Sequence, residues 1–166
     1  MNKKTIGIVL AVVAAILTYL NEQGLIPSGD AMVSAPQSGQ TRSAPSGGPG
    51  SLFGDSGTQA IAAAYRAQRS DVQVRGKGIV KKVLSDDLKG SRHQRFLLRL
   101  DNKQTLLVAH NIDLAPRIEG LRAGDEVAFY GEYEWNNQGG VLHWTHHDPG
   151  GRHADGWLKH RGRTYQ

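Results

Sequence analysis

Cysteine is absent from the 166 residues. That excludes disulfides, thiolate zinc sites, iron–sulfur clusters and a cysteine nucleophile, so stability must come from an apolar core. The 21 Gly and 6 Pro follow no collagen-like period. After the N-terminal apolar run, Tyr19-Leu20-Asn21-Glu22-Gln23 lacks the small residues that signal cleavage requires. The nearest candidate, Val33-Ser34-Ala35, lies far downstream and is followed by Pro36. No PxxP occurs in the Ser/Gly/Pro-rich stretch, which argues against a ligand motif for a proline-binding module.

What is present divides the chain into three parts. Lys3 and Lys4 precede an uncharged run from Thr5 to Leu20, the pattern of an export signal. Without a nearby cleavage site, residues 1–26 read as a membrane anchor, with a cleaved signal peptide as the alternative. The two lysines would stay inside, which places the rest of the chain outside the cytoplasm, facing the periplasm if anchored in the inner membrane. Residues 27–57 are rich in Ser, Gly, Pro and Gln, bury too little to repay their ordering entropy, and read as a flexible linker. Up to Gly57, Lys3, Lys4 and Arg42 balance Glu22, Asp30 and Asp55. The whole net charge of +5 and all seven His therefore belong to residues 58–166.

This last part is expected to be mainly β. Ser56 is placed to cap a helix from about Thr58 to Gln68, with Ile61, Ala62, Ala64 and Tyr65 on its apolar stripe. Val72 to Leu84 reads as a first strand, interrupted at Gly76 and Gly78. His93–Leu100 and Gln104–His110 follow, and then a short helix over Pro116–Leu121. A fourth strand ends at Trp135, Asn136–Gly140 makes a hairpin loop, and Val141–His147 returns as the fifth strand. Three strands, a helix and a two-stranded hairpin is the connectivity of a five-stranded OB-fold-like barrel. Trp157 to Gln166 is a basic tail without periodicity; either it contacts an anionic surface, or Trp157 and Tyr165 pin it to the barrel.

Three stretches also carry a resemblance: Gly90-Ser91-Arg92-His93-Gln94-Arg95-Phe96, Ala109-His110-Asn111-Ile112-Asp113-Leu114-Ala115-Pro116-Arg117, and His143-Trp144-Thr145-His146-His147-Asp148-Pro149. Through them residues 71–166 resemble an uncharacterised family of small exported bacterial proteins, a domain of unknown function grouped with OB-folds. The resemblance implies the fold and export, and no reaction.

The densest chemistry is His143-Trp144-Thr145-His146-His147-Asp148-Pro149-Gly150-Gly151-Arg152-His153, where imidazole and carboxylate suit a divalent metal such as zinc, manganese or magnesium. On a strand, His143 and His147 stand about 13 Å apart, too far for one ion, whereas His146 and Asp148 are about 7 Å apart. His146, Asp148 and His153 are thus the expected metal ligands; the alternative is a barrel rim of imidazoles bonded to backbone. His93, His143, His146, His147 and Asp148 are the candidate catalytic residues for phosphodiester chemistry. Arg92, Arg95 and Arg99, with His110, Asn111 and Trp144, are the candidate ligand-binding residues, since guanidinium forks suit phosphate. A solvated strand face is the competing reading of those arginines. Asp86, Asp87 and Asp113 loosely match the acidic positions of nuclease OB-folds, but the Asp-Gly-Asp-Thr run is missing and turn capping explains them better. The expected partners are nucleic acid or another polyanion, bound across the second and third strands, and a membrane through the N-terminal segment. Binding is favoured over metal-dependent hydrolysis, with an envelope-complex interaction domain as a third alternative.

Overall fold

The computed structural model describes residues 55–166; the readings for the anchor and for most of the linker lie outside them. The first described element, helix α1 (Asp55–Arg66), begins earlier than the sequence suggests, so Ser56 falls inside it. It presents Ile61 and Ala64 to the barrel core. Gly57 makes this docking possible, because a Cβ there would lie on the Arg75 carbonyl oxygen.

Strand β1 (Val72–Val83) runs unbroken through both glycines and changes partner midway. Val72–Ile79 pair with β4 (Glu126–Glu134), and Ile79–Val83 pair with β2 (His93–Arg99). Gly76 and Gly78 do not interrupt the strand. They are inward positions already filled by neighbours, since a Cβ would stand 2.9 Å from the Phe129 ring or 2.7 Å from the Arg99 oxygen. A bulge between Val80 and Lys82 follows and leaves Lys81 and Lys82 both exposed.

β2 pairs antiparallel with β3 (Thr105–Asn111), β3 parallel with β5 (Val141–His143), and β5 antiparallel with β4. Since β4 also pairs with β1, the order β1-β2-β3-β5-β4 closes on itself as a five-stranded barrel. Alternation puts Val74, Phe96, Leu98, Leu106, Val108, Val127, Phe129, Tyr133 and Leu142 inside. Among the described residues no helix is long and apolar enough to cross a membrane.

Three further sequence expectations change. Residues 116–121 form no helix. Ile118, fully buried in the core, is held instead by the inward side chain of Gln94, whose Nε2 donates to the Ile118 carbonyl (3.0 Å) and whose Oε1 accepts from its amide (2.9 Å). A glutamine thus satisfies both backbone groups that a helical turn would have paired. The fifth strand stops at His143, because Trp144 takes φ 49°. The left-handed region is strained for so bulky a residue. Finally, the stretch read as a tail without periodicity is a hairpin of β6 (Trp157–His160) and β7 (Arg163–Tyr165), with β6 on the edge of β4 and Tyr165 in the core, so it is pinned to the barrel as the alternative reading had it. Asp125 anchors it, accepting from His160 Nε2 (2.9 Å) and Arg161 (3.1 Å).

Candidate functional site

The end of β5 at Trp144 dissolves the strand parity expected for the His-rich run. Asp148 becomes the organiser of a tight loop: its carboxylate accepts from the amides of Gly150, Arg152 and His153. Those amides hold it at about 2, well below the usual carboxylate range. His147 pairs with Asp155 at 3.1 Å on the exposed side. His153 stacks on the Trp144 ring, with centroids 3.8 Å apart and planes 14° apart.

His146, Asp148 and His153 therefore do not converge. Among the described residues, the group whose ligand atoms lie within 4.8 Å of one another, and which could hold a metal, is Glu132, Glu134 and His143. The strands put it there. Glu132 and Glu134 alternate with Tyr133 on the outward side of β4, and His143 on β5 faces Glu132 in register. His143 Nε2 is 3.5 Å from Glu132 and 3.6 Å from Glu134, longer than a good hydrogen bond. Burial pushes the His143 pKa down, but the two glutamates outweigh it and the net shift is upward. Both glutamates move down, Glu132 chiefly through His143; Glu134 is opposed by burial, which His143 and Ser70 outweigh. Burial and the neighbouring Glu134 raise Asp71.

The other histidines are set differently. His110 points into the barrel end, fully buried. Its Nε2 is 3.2 Å from the Pro116 carbonyl and its Nδ1 2.8 Å from Thr145 Oγ1. A carbonyl only accepts, so Nε2 carries the proton and Nδ1 accepts from the hydroxyl. Burial pushes its pKa down to about 4. His110, expected to bind ligand, instead joins β3 to the two loops around it. His93 and His146 each have Nδ1 beside a backbone carbonyl, of Ser91 (2.7 Å) and His147 (2.6 Å). Both pKa values are lowered, mainly by burial. Each ring is thereby fixed with Nε2 unprotonated, the state of a general base or ligand.

The expected arginine clamp is not assembled. Arg92 pairs with Asp113 at 2.6 Å, Arg95 is buried and donates to the Ser85 carbonyl, and Arg99 is exposed. Asn111 uses its Oδ1 on the Asp113 amide. Asp87 accepts from the Lys89 amide, the turn role the sequence favoured, whereas Asp86 caps no amide among the described residues and holds the Arg117 side chain at 3.0 Å. The outward side of β2 and β3 carries no Phe, Tyr or Trp, and its one ring is the His93 imidazole.

The rings stand elsewhere. Across β1, β4 and β6, Arg75 lies opposite Tyr130 and Tyr130 opposite Trp157; one row on, Lys77, Ala128 and Lys159 align. Tyr130 and Trp157 are 6.4 Å apart. Arg75 sits over the Trp157 ring at 5.2 Å and Lys159 at 4.9 Å, within cation–π range. Lys77 is paired with Glu126 at 3.0 Å. This cationic–aromatic strip and the Glu132/Glu134/His143 group share the outward side of β4, Tyr130 and Glu132 being one strand repeat, about 7 Å, apart.

Sequence reasoning missed both features. The outward parity of Tyr130, Glu132 and Glu134, and the hairpin that returns His143 beside them, were available signals. The Trp157 row was not, because β6 was read as a tail. In comparisons with known proteins, residues 51–166 match a family described as "Protein of unknown function (DUF3465)". No curated protein and no solved structure matches.

Proposed function

The chain belongs to the DUF3465 family of proteins of unknown function, and we propose that its OB-like barrel binds single-stranded nucleic acid or a similar polyanion. The observation that carries this reading is the Arg75–Tyr130–Trp157 row with Lys159 beside it. Two partly exposed rings suit two successive bases, and the cations held at the indole lie where the flanking phosphates would fall. The net charge of +5 supports it. The apolar run Thr5–Leu20 behind Lys3 and Lys4 supports a barrel tethered outside the cytoplasm, which fractionation of membranes with and without added protease would test.

Fluorescence anisotropy with a labelled oligothymidylate tests the binding. Stacking contributes about 1–3 kcal/mol per base, so Trp157→Ala should weaken affinity roughly 5- to 150-fold. If Arg75 and Lys159 each neutralise one phosphate, they account for about −1.4 of the log–log salt slope. Affinity that is flat in salt, or unchanged in Trp157→Ala, would overturn the reading.

A second reading, hydrolysis of a phosphodiester, is favoured by one observation: a polymer crossing the strip passes the Glu132/Glu134/His143 group on the same side of β4. His93 and His146, each with an unprotonated Nε2, supply candidate bases. Cleavage of DNA or RNA that EDTA abolishes is the expected result. Folded Glu134→Gln or His146→Ala protein with full cleavage would remove those residues from the mechanism.

A further inference from the structure

The geometry points to a divalent-metal site of zinc-like coordination formed by Glu132, Glu134 and His143, with a fourth position left for solvent or ligand. His143 Nε2 is buried to under 1 Å² and has no hydrogen-bond partner. A buried imidazole nitrogen left without a partner is costly, and this one is aimed at two carboxylates. The separations are those of ligands around an ion rather than of hydrogen-bonded groups. Bonds of about 2.0–2.1 Å at tetrahedral angles put neighbouring ligand atoms about 3.4 Å apart, whereas octahedral magnesium brings them to about 2.9 Å. The observed 3.5 and 3.6 Å from Nε2 to the glutamate oxygens fit the first.

The donor set agrees: one imidazole and two carboxylates are borderline-to-hard ligands that suit zinc and offset its double charge. Three protein ligands with an open position is the arrangement of a catalytic rather than a structural zinc. Supporting groups surround the glutamates. His153 Nδ1 stands 3.5 Å from Glu132 Oε2, its ring backed by Trp144, and Asp71 and Ser70 both interact with Glu134. Groups of this kind orient metal ligands and tune their affinity. Trp144, one residue past His143, ends β5 by its left-handed conformation and has its ring stacked on His153.

The site does not depend on the nucleic-acid reading, and its test is kept apart from it. The full chain, purified in mild detergent and stripped with EDTA, is titrated with Zn2+ alone. Affinity is read by competition with a chromophoric chelator and stoichiometry by elemental analysis. One equivalent is expected. Glu134→Gln and His143→Ala should lower affinity more than 100-fold and His153→Ala about 10- to 100-fold, while His147→Ala binds as wild type. Because His143→Ala removes a mostly buried ring, the isosteric Glu134→Gln decides if that variant fails to fold. Wild-type protein that takes up no zinc at 100-fold excess overturns the site. So does zinc binding that survives Glu134→Gln, or that is lost in His147→Ala. Zinc binding without cleavage of any polymer would leave the site standing and remove the hydrolytic reading.

Discussion

Acidification should destabilise the barrel through His110 by an amount the structure sets. In the folded protein its pKa lies at about 4, against 6.5 for a free imidazole. Burial is the main cause, opposed in part by the bond to the Pro116 carbonyl and assisted by the nearby His146 and His93, while Thr145 occupies Nδ1 of the neutral ring. The unfolded chain therefore binds a proton that the native state refuses. The stabilisation is fully present above pH 6.5 and is lost as pH falls from 6.5 through 4. A difference of about 2.5 pKa units corresponds to about 3 kcal/mol, a large part of the roughly 5–15 kcal/mol that holds a typical domain together.

The assay is urea unfolding of wild type and His110→Gln at pH 7, 5.5 and 4. Glutamine keeps a donor for Pro116 and has no titratable group. Other shifted groups act too: His143 works in the opposite direction, and Glu132 and Glu134 lose stabilisation in acid. Most of these effects cancel in the comparison of the two proteins. Wild type should lose about 3 kcal/mol more than the variant between pH 7 and pH 4. Equal pH slopes, or an imidazole resonance for His110 that titrates near 6.5, would refute the reasoning.

Other perturbations have equally definite outcomes. Gln94→Leu keeps the volume but leaves the Ile118 amide and carbonyl unpaired. It should cost about 2–6 kcal/mol in a urea melt, and the Ile118 amide should exchange with solvent faster. Gly57→Ala places a methyl on the Arg75 carbonyl and should cost about 1–3 kcal/mol as α1 shifts outward. Asp125→Ala removes the acceptor shared by His160 and Arg161, so limited trypsin digestion should cut at Lys159 and Arg161 in the variant while sparing the wild type.

Much of the barrel was legible because its strands obey a period of two. Phe96, Leu98, Val127, Phe129 and Tyr133 announce an inward face, and the Asn136–Gly140 turn announces the hairpin. The misread places share a cause: a backbone group or side chain satisfied by something distant in sequence. Pro116–Leu121 has a helical look, but Gln94 bonds the backbone of Ile118. Val141–His147 looks like a continuous strand, yet Thr145 is drawn to His110 and Gly156 donates to the His146 carbonyl, so the chain leaves the sheet at Trp144. The His-rich run was conspicuous for composition, but Asp148 is used within its own loop, and of the run His143 lies between both glutamates while His153 reaches Glu132 alone.

Sequence alone determined the absence of thiol chemistry, the concentration of charge and histidine after Gly57, the succession of the five barrel strands along the chain and the faces of β4. Those follow from composition and from alternation, which are local properties of a chain. Tertiary structure decided which neighbours those faces acquired: β5 brought His143 to Glu132 and Glu134, and β6 brought Trp157 and Lys159 to Tyr130. Strand pairing joins residues by register rather than by distance along the chain, so a site built across three strands appears only when the sheet closes.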